Sequence, residues 1–171
     1  MKRVLLIIAP VDFRDEEFLE PKNILGKLGV QVTVASTQPG TAKGSRGAFV
    51  KADIALKDIS VAKYDAFVFV GGNGASVFFD DPQAHRIAQD AVKQQKLLAA
   101  ICIAPVTLAR AGVLRGVKAT VFPDESDELT KKGAVYTGKP VEIAGNIITG
   151  AGPHAARQFG QAIAAHLTAT T

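Results

Sequence analysis

LLAAICIAPVTLARAGVL, residues 97–114, runs from an apolar stretch through the chain's single cysteine into a helical pattern. LLAAIC (97–102) has strand length and no polar position, so it reads as a strand buried on both faces. APVTLARAGVL (104–114) reads as a helix ending near Gly112. A strand that passes straight into a helix leaves Cys102 on the turn between them, the geometry of a nucleophile elbow. Small Ala100 and Ala104 leave room for the backbone to bend there. The N-terminus of a helix has unpaired N–H groups and a partial positive charge, which predicts a thiol pKa below the free value of about 8.5.

The same alternation extends in both directions. VLLIIA (4–9), VQVTVAS (30–36) and YDAFVFVGG (64–72) precede it as strands, with KATVF (118–122) and NIITG (146–150) after it. Residues 16–29 have apolar positions at 18, 19, 24, 25 and 28, a helical spacing that contains Pro21. Residues 81–96 form a second helix, with Asp81 as a possible N-cap before Pro82. Residues 104–114 form the third, DELTKKGAVYT contains a short one, and 154–170 form the closing helix. Residues 38–59 read as a loop with short extended pieces. Apolar strands alternating with helices predict an α/β fold, a mostly parallel sheet with helices on both faces in three layers. No repeat or linker divides the chain, so 1–171 reads as one domain. Ligands in such sheets bind beyond the carboxyl ends of the strands. GGNG (71–74), Cys102, Phe122–Asp124 and GAGPH (150–154) all follow strand ends, and Glu16 and Glu17 follow the first strand after a short loop.

Composition narrows the function classes. The chain is 47% hydrophobic and lacks Trp, so its core is aliphatic. One cysteine forms no internal disulfide, which fits a reducing, cytoplasmic setting. The apolar run after MKR is about six residues, below the roughly 7–15 of a signal peptide, and no window approaches the roughly 18 of a membrane span. The net charge of +4 is spread along the chain, without the basic, aromatic-interleaved clusters of a single-strand nucleic-acid binder. GGNG lacks the spacing of a dinucleotide or phosphate loop, so no nucleotide cofactor is expected. The histidines are scattered, so no metal site is expected either.

AAICIAP (99–105) followed by AGVLRG (111–116), with YDAFVFVGGNG (64–74) upstream and an acidic segment before Pro21, resembles the ThiJ/PfpI superfamily over nearly the whole chain. The resemblance implies a flavodoxin-like three-layer sandwich. It implies that Cys102 is the reactive cysteine and that the Glu17 carboxyl group hydrogen-bonds it. Gly72 and Ile103 match positions whose N–H groups form an oxyanion pocket, beside Gly71 and Asn73, and Pro153 matches a residue lining it. Glu16 is the alternative to Glu17 if the register shifts by one. A homodimer or higher homo-oligomer is implied as well.

The sequence departs from the family pattern where a histidine usually stands. Ile103 follows the cysteine, and Phe122 ends the next strand. Cysteine hydrolases need a base to activate the thiol and protonate the leaving group. Asp124 and His154 are the candidate replacements, with Tyr136 and Arg14 behind them. His85 reads as a surface residue and His166 as a helix-end residue. The resemblance implies a glyoxalase- or deglycase-like enzyme acting on methylglyoxal or a related small carbonyl. The alternatives are an oxidation sensor or stress chaperone built on Cys102, and an intracellular cysteine peptidase whose base comes from a partner subunit.

Overall fold

The computed structural model describes residues 1–169. The elements in chain order are β1 (Arg3–Ile7), β2 (Val11–Phe13), α1 (Asp15–Gly26), β3 (Gln31–Ser36), β4 (Gly40–Gly44), β5 (Phe49–Ala52), β6 (Ile54–Ala55), β7 (Ala66–Phe69), α2 (Pro82–Lys93), β8 (Leu97–Ile101), α3 (Pro105–Arg110), β9 (Lys118–Ala119), α4 (Ser126–Lys131), β10 (Val135–Tyr136), β11 (Val141–Ala144), β12 (Ile147–Gly150) and α5 (Ala156–Ala169). The central sheet has seven strands in the order β11-β12-β8-β7-β1-β3-β6. All neighbours are parallel except β11, which is antiparallel to β12.

The apolar runs are explained by two cores. Along β1, Leu5 and Ile7 face the layer that holds Ile87 of α2 and Val106 and Leu108 of α3. Val4 and Leu6 face the layer of Phe18 and Leu25 on α1 and Phe159 and Ile163 on α5. Fully burying a Leu, Ile or Phe side chain contributes about 1.5–3 kcal/mol. That outweighs the weak strand preference of the leucines and alanines in β8. Among the described residues, no helix is long and apolar enough to cross a membrane.

Several local expectations hold and some need correction. Asp81 caps α2, its side chain accepting from Ala84 N at 3.2 Å. Pro21 lies inside α1 without ending it. There α5 presses close: a Cβ on Gly160 would stand 3.0 Å from Pro21 Cα. KATVF is not a strand of the main sheet. Only Lys118–Ala119 is strand, and it pairs with β10 in a separate two-stranded ladder. Thr120 N donates instead to Thr149 Oγ1 at 2.9 Å, so a side chain takes the place of the ladder. The edge strand β11 had no sequence prediction; it includes the buried Glu142. The 38–59 loop contains β4 and β5, which with β2 form a small second sheet. The closing helix begins at Ala156, after a 3-10 turn at Pro153–Ala155. Residue 170, the predicted end of that helix, lies outside the described residues.

Candidate active site

Sheet order places β8 between β7 and β12. The turn after β8 therefore sits between the glycines after β7 and the Gly150–Pro153 segment after β12. Cys102 occupies that turn with φ +64°, a left-handed conformation that costs a non-glycine residue about 1–2 kcal/mol. Backbone bonds hold it there. Cys102 N donates to Gly150 O at 2.9 Å, Phe122 N donates to Cys102 O at 2.8 Å, and Ala104 N closes the turn on Ile101 O at 3.1 Å. The elbow thus has a strained residue, fixed from both neighbouring segments.

Glu17 lies in the first turn of α1 and is fully buried, whereas Glu16 is ion-paired with Arg14 at 2.8 Å. Glu17 is therefore the acid that meets the cysteine. Its carboxyl group faces the Cys102 thiol and the Gly71 N–H, yet neither oxygen completes a well-aligned hydrogen bond. Gly71 fills the narrow space between them: a Cβ there would strike Glu17 Oε1, Cys102 Cβ and Ile101 O. Gly72 has φ +101°, and a Cβ on it would collide with the backbone of Asp12 and Arg14. The N–H groups of Gly72 and Ile103 point at the Cys102 sulfur.

Burial dominates the electrostatics. It pushes the Glu17 carboxyl up to about 8, against the lowering effects of the neighbouring Cys102 thiol and the Arg14 charge. Glu17 therefore keeps its proton at neutral pH. Burial also pushes the Cys102 thiol up to about 12, with the negative charge of Glu17 adding to it and the two N–H groups opposing it. This corrects the expected lowering. The helix α3 starts only at Pro105 and is six residues long. Helix-end effects fade within a turn, so desolvation wins at Cys102.

On its open side, Cys102 faces a cavity of about 440 Å³ lined by Asp12, Arg14, Ser45, Arg46, Gly72, Asn73, Ile103, Phe122 and Pro153. Asn73, Pro153 and Phe122 are among its lining residues, Phe122 from beyond the end of β9 rather than from a strand. Neither proposed base lines it. Asp124 is exposed in the 3-10 turn Pro123–Glu125, and His154 is exposed in the turn after β12. Tyr136 belongs to β10, His85 bonds to Phe79 O at 2.7 Å and His166 to Asn146 Oδ1 at 3.0 Å, all outside the cavity. Asp12, Ser45 and Arg46 were not predicted. Asp12 sits left-handed at φ +62°, a conformation that aspartate tolerates and that sequence does not reveal. GSRG (44–47) was visible as a turn signal, but nothing in it says which element it folds against. Among the described residues, no three His, Cys, Asp or Glu side chains converge as a metal site.

The model of the DJ-1/PfpI family matches residues 2–166. An uncharacterized protein of Methanocaldococcus jannaschii is 39% identical over 92% of this chain and 78% of its own length. A protein of Pyrococcus horikoshii named a deglycase is 31% identical over 85% of this chain and 87% of its own. Among solved structures, a ThiJ/PfpI domain protein from Brachyspira murdochii superposes with a TM-score of 0.97 at 29% identity, covering 99% of this chain and 98% of that one.

Proposed function

Because the chain belongs to the DJ-1/PfpI family, we propose that it is a cysteine-dependent enzyme of glyoxalase or deglycase type that converts small 2-oxoaldehydes such as methylglyoxal to hydroxy acids. The observation that carries this reading is the Cys102 thiol, with the buried Glu17 behind it, two N–H groups beside it and a small open cavity in front. The name of the Pyrococcus relative supports carbonyl chemistry.

In this reading the reactive form is the one in which Glu17 is ionised. Its carboxylate takes the thiol proton as sulfur attacks the aldehyde carbon. The S–C bond forms, and the developing alkoxide rests on the N–H groups of Gly72 and Ile103 before receiving, by way of water, the proton that Glu17 took, which restores the carboxylate. In the hemithioacetal a proton then leaves the former aldehyde carbon and returns to the neighbouring carbon. The first carbon is oxidised and the second reduced, so no outside redox partner enters. Water cleaves the resulting thioester, giving the hydroxy acid and restoring the thiol. Asp12 is the acid among the cavity-lining residues, and in this reading it carries the carbon-bound proton.

The alternatives rank lower on physical grounds. An oxidation sensor works through an exposed thiolate, and burial drives Cys102 the other way. Peptide hydrolysis needs an acid for the leaving amine, and no histidine lines the cavity. The test is hydroxy-acid formation from methylglyoxal as a function of pH. The rate should climb as pH approaches about 8, where Glu17 ionises. Cys102→Ser should fall to the uncatalysed rate. Turnover retained in Cys102→Ser, or a flat pH profile, overturns the reading.

A further inference from the structure

The cavity wall that faces Cys102 carries a feature the reaction above does not require. The turn between β4 and β5 is exposed, yet a buried acid fixes it. Asp15 is 6% exposed, and its two oxygens accept from Arg46 N at 3.2 Å and Ala48 N at 3.0 Å. Ser45 N adds a bond to Phe13 O at 2.9 Å. Gly44 has no side chain where Asp15 passes; a Cβ there would strike the Asp15 carboxyl group. Closing a surface turn needs no such device, since Gly47 at φ +97° already supplies the left-handed residue. The result of fixing it is a set position for Arg46 on the cavity that holds Cys102.

The lining residues are rich in donors, Arg14, Arg46, Ser45 and Asn73 with the N–H groups of Gly72 and Ile103, and Asp12 is the acid among them. Glu16 already matches Arg14 at 2.8 Å. Arg46 makes no salt bridge within 4.0 Å among the described residues, although the Glu16 carboxyl, held low first by the Arg14 hydrogen bond, also feels the Arg46 charge. A guanidinium carried on a backbone that is fixed beside a nucleophile is suited to grip a planar or tetrahedral anion through paired hydrogen bonds.

We propose that this cavity selects small carbonyl compounds that also carry an anionic group, a carboxylate or a phosphate, with Arg46 gripping the anion while the carbonyl meets Cys102, and Asp15 acting as the positioning residue. The carbonyl half rests on the proposed reaction. The anion half rests on the cavity alone.

The test reads the anion half without turnover. Cys102 is alkylated with iodoacetate and with iodoacetamide, reagents of equal size that differ in charge, and the adduct is followed by mass. In the wild type the iodoacetate-to-iodoacetamide rate ratio should exceed that of a free small thiol by about tenfold or more, the worth of one charge-assisted hydrogen bond. Arg46→Ala should bring the ratio to the free-thiol value. Arg46→Lys should keep part of it, and Asp15→Asn should lower it with Arg46 still present. A wild-type ratio equal to that of the free thiol, or a ratio unmoved by Arg46→Ala, overturns the proposal. Inorganic phosphate and acetate are then added as protectants. Protection by either supports the site, and the stronger one identifies the anion; protection by neither overturns it. Should the thiol resist both reagents, Tm decides. Phosphate should raise the Tm of the wild type and not that of Arg46→Ala, and equal shifts overturn the proposal. Failure of the methylglyoxal assay alone leaves these outcomes intact, so the two readings fail separately.

Discussion

The cavity around Cys102 has two walls built by different physics. The inner wall is dry and tight: Glu17, Gly71 and Cys102 stand so close that Gly71 has no room for a methyl group. Both of its titratable groups are pushed toward their neutral forms by burial. The outer wall, Asp12, Arg14, Ser45 and Arg46, is charged and open to solvent, and backbone hydrogen bonds to Asp15 locate its Ser45–Arg46 turn. The inner wall fixes the reacting atom through sterics and desolvation, and its neighbours have nowhere to move. The exposed side chains of the outer wall, Asp12, Ser45 and Arg46, can change with little effect on folding.

The strongest way to break this distinction is to add one methyl group to each wall. Gly71→Ala places a Cβ against Cys102 Cβ at 2.5 Å and Ile101 O at 2.6 Å. Backbone and a buried acid cannot yield, so the variant should lose about 3 kcal/mol of stability, a fall of roughly 6–12 °C in Tm, along with its activity. Gly47→Ala meets nothing within 4 Å and suffers only its left-handed φ of +97°, a cost of about 1 kcal/mol. Thermal melts of the two variants decide the matter. Equal losses would mean that the walls do not differ in tightness.

The same contrast explains what the sequence reveals. The inner wall's elbow is contiguous: LLAAI, Cys102 and APVTLAR follow one another, and apolar periodicity alone places the cysteine on a turn. The burial of β1, β7 and β8 on both faces is legible for a like reason, their continuous apolar runs. Residues 11–14 and 44–48, in contrast, meet through Asp15 and Phe13. No local pattern in GSRG or VDFR announces a contact between segments that far apart. Asp124 and His154 follow strand ends, which are readable; the acid among the cavity-lining residues is Asp12, which no local pattern announces. The raised thiol pKa was hidden too, because burial of a turn depends on what packs over it.

A second prediction sharpens the inner wall. The Glu17 carboxyl is raised from 4.5 to about 8 in the folded state. Between those values the folded chain binds a proton that the unfolded chain has released. Stability from this residue is therefore fully present below about pH 4.5 and is lost as pH rises through about 8. The loss is on the order of a few kcal/mol. Glu17→Gln removes the titration, so its denaturant-unfolding stability should stay flatter from pH 5 to 9 while the wild type declines. Parallel curves would mean that Glu17 is not held neutral by burial.

The smallest effect on folding belongs to the outer wall. Each wall holds one non-glycine residue in the left-handed region, Cys102 at φ +64° and Asp12 at φ +62°. Cys102 is locked by bonds to Gly150 and Phe122, but Asp12 is exposed, so its strain can be relieved at little structural cost. Asp12→Gly relieves the strained φ and at the same time loosens the unfolded chain. The two nearly cancel, and stability should stay within about 0.5 kcal/mol of wild type. Asp12→Asn keeps the conformation and removes the acid. If Asp12 carries the carbon-bound proton, both variants should form hydroxy acid about a hundredfold more slowly while melting as the wild type does. Full turnover in Asp12→Asn would leave the inner wall to move every proton by itself, with Glu17 serving both carbon and sulfur, and the outer wall would then only recognise the substrate.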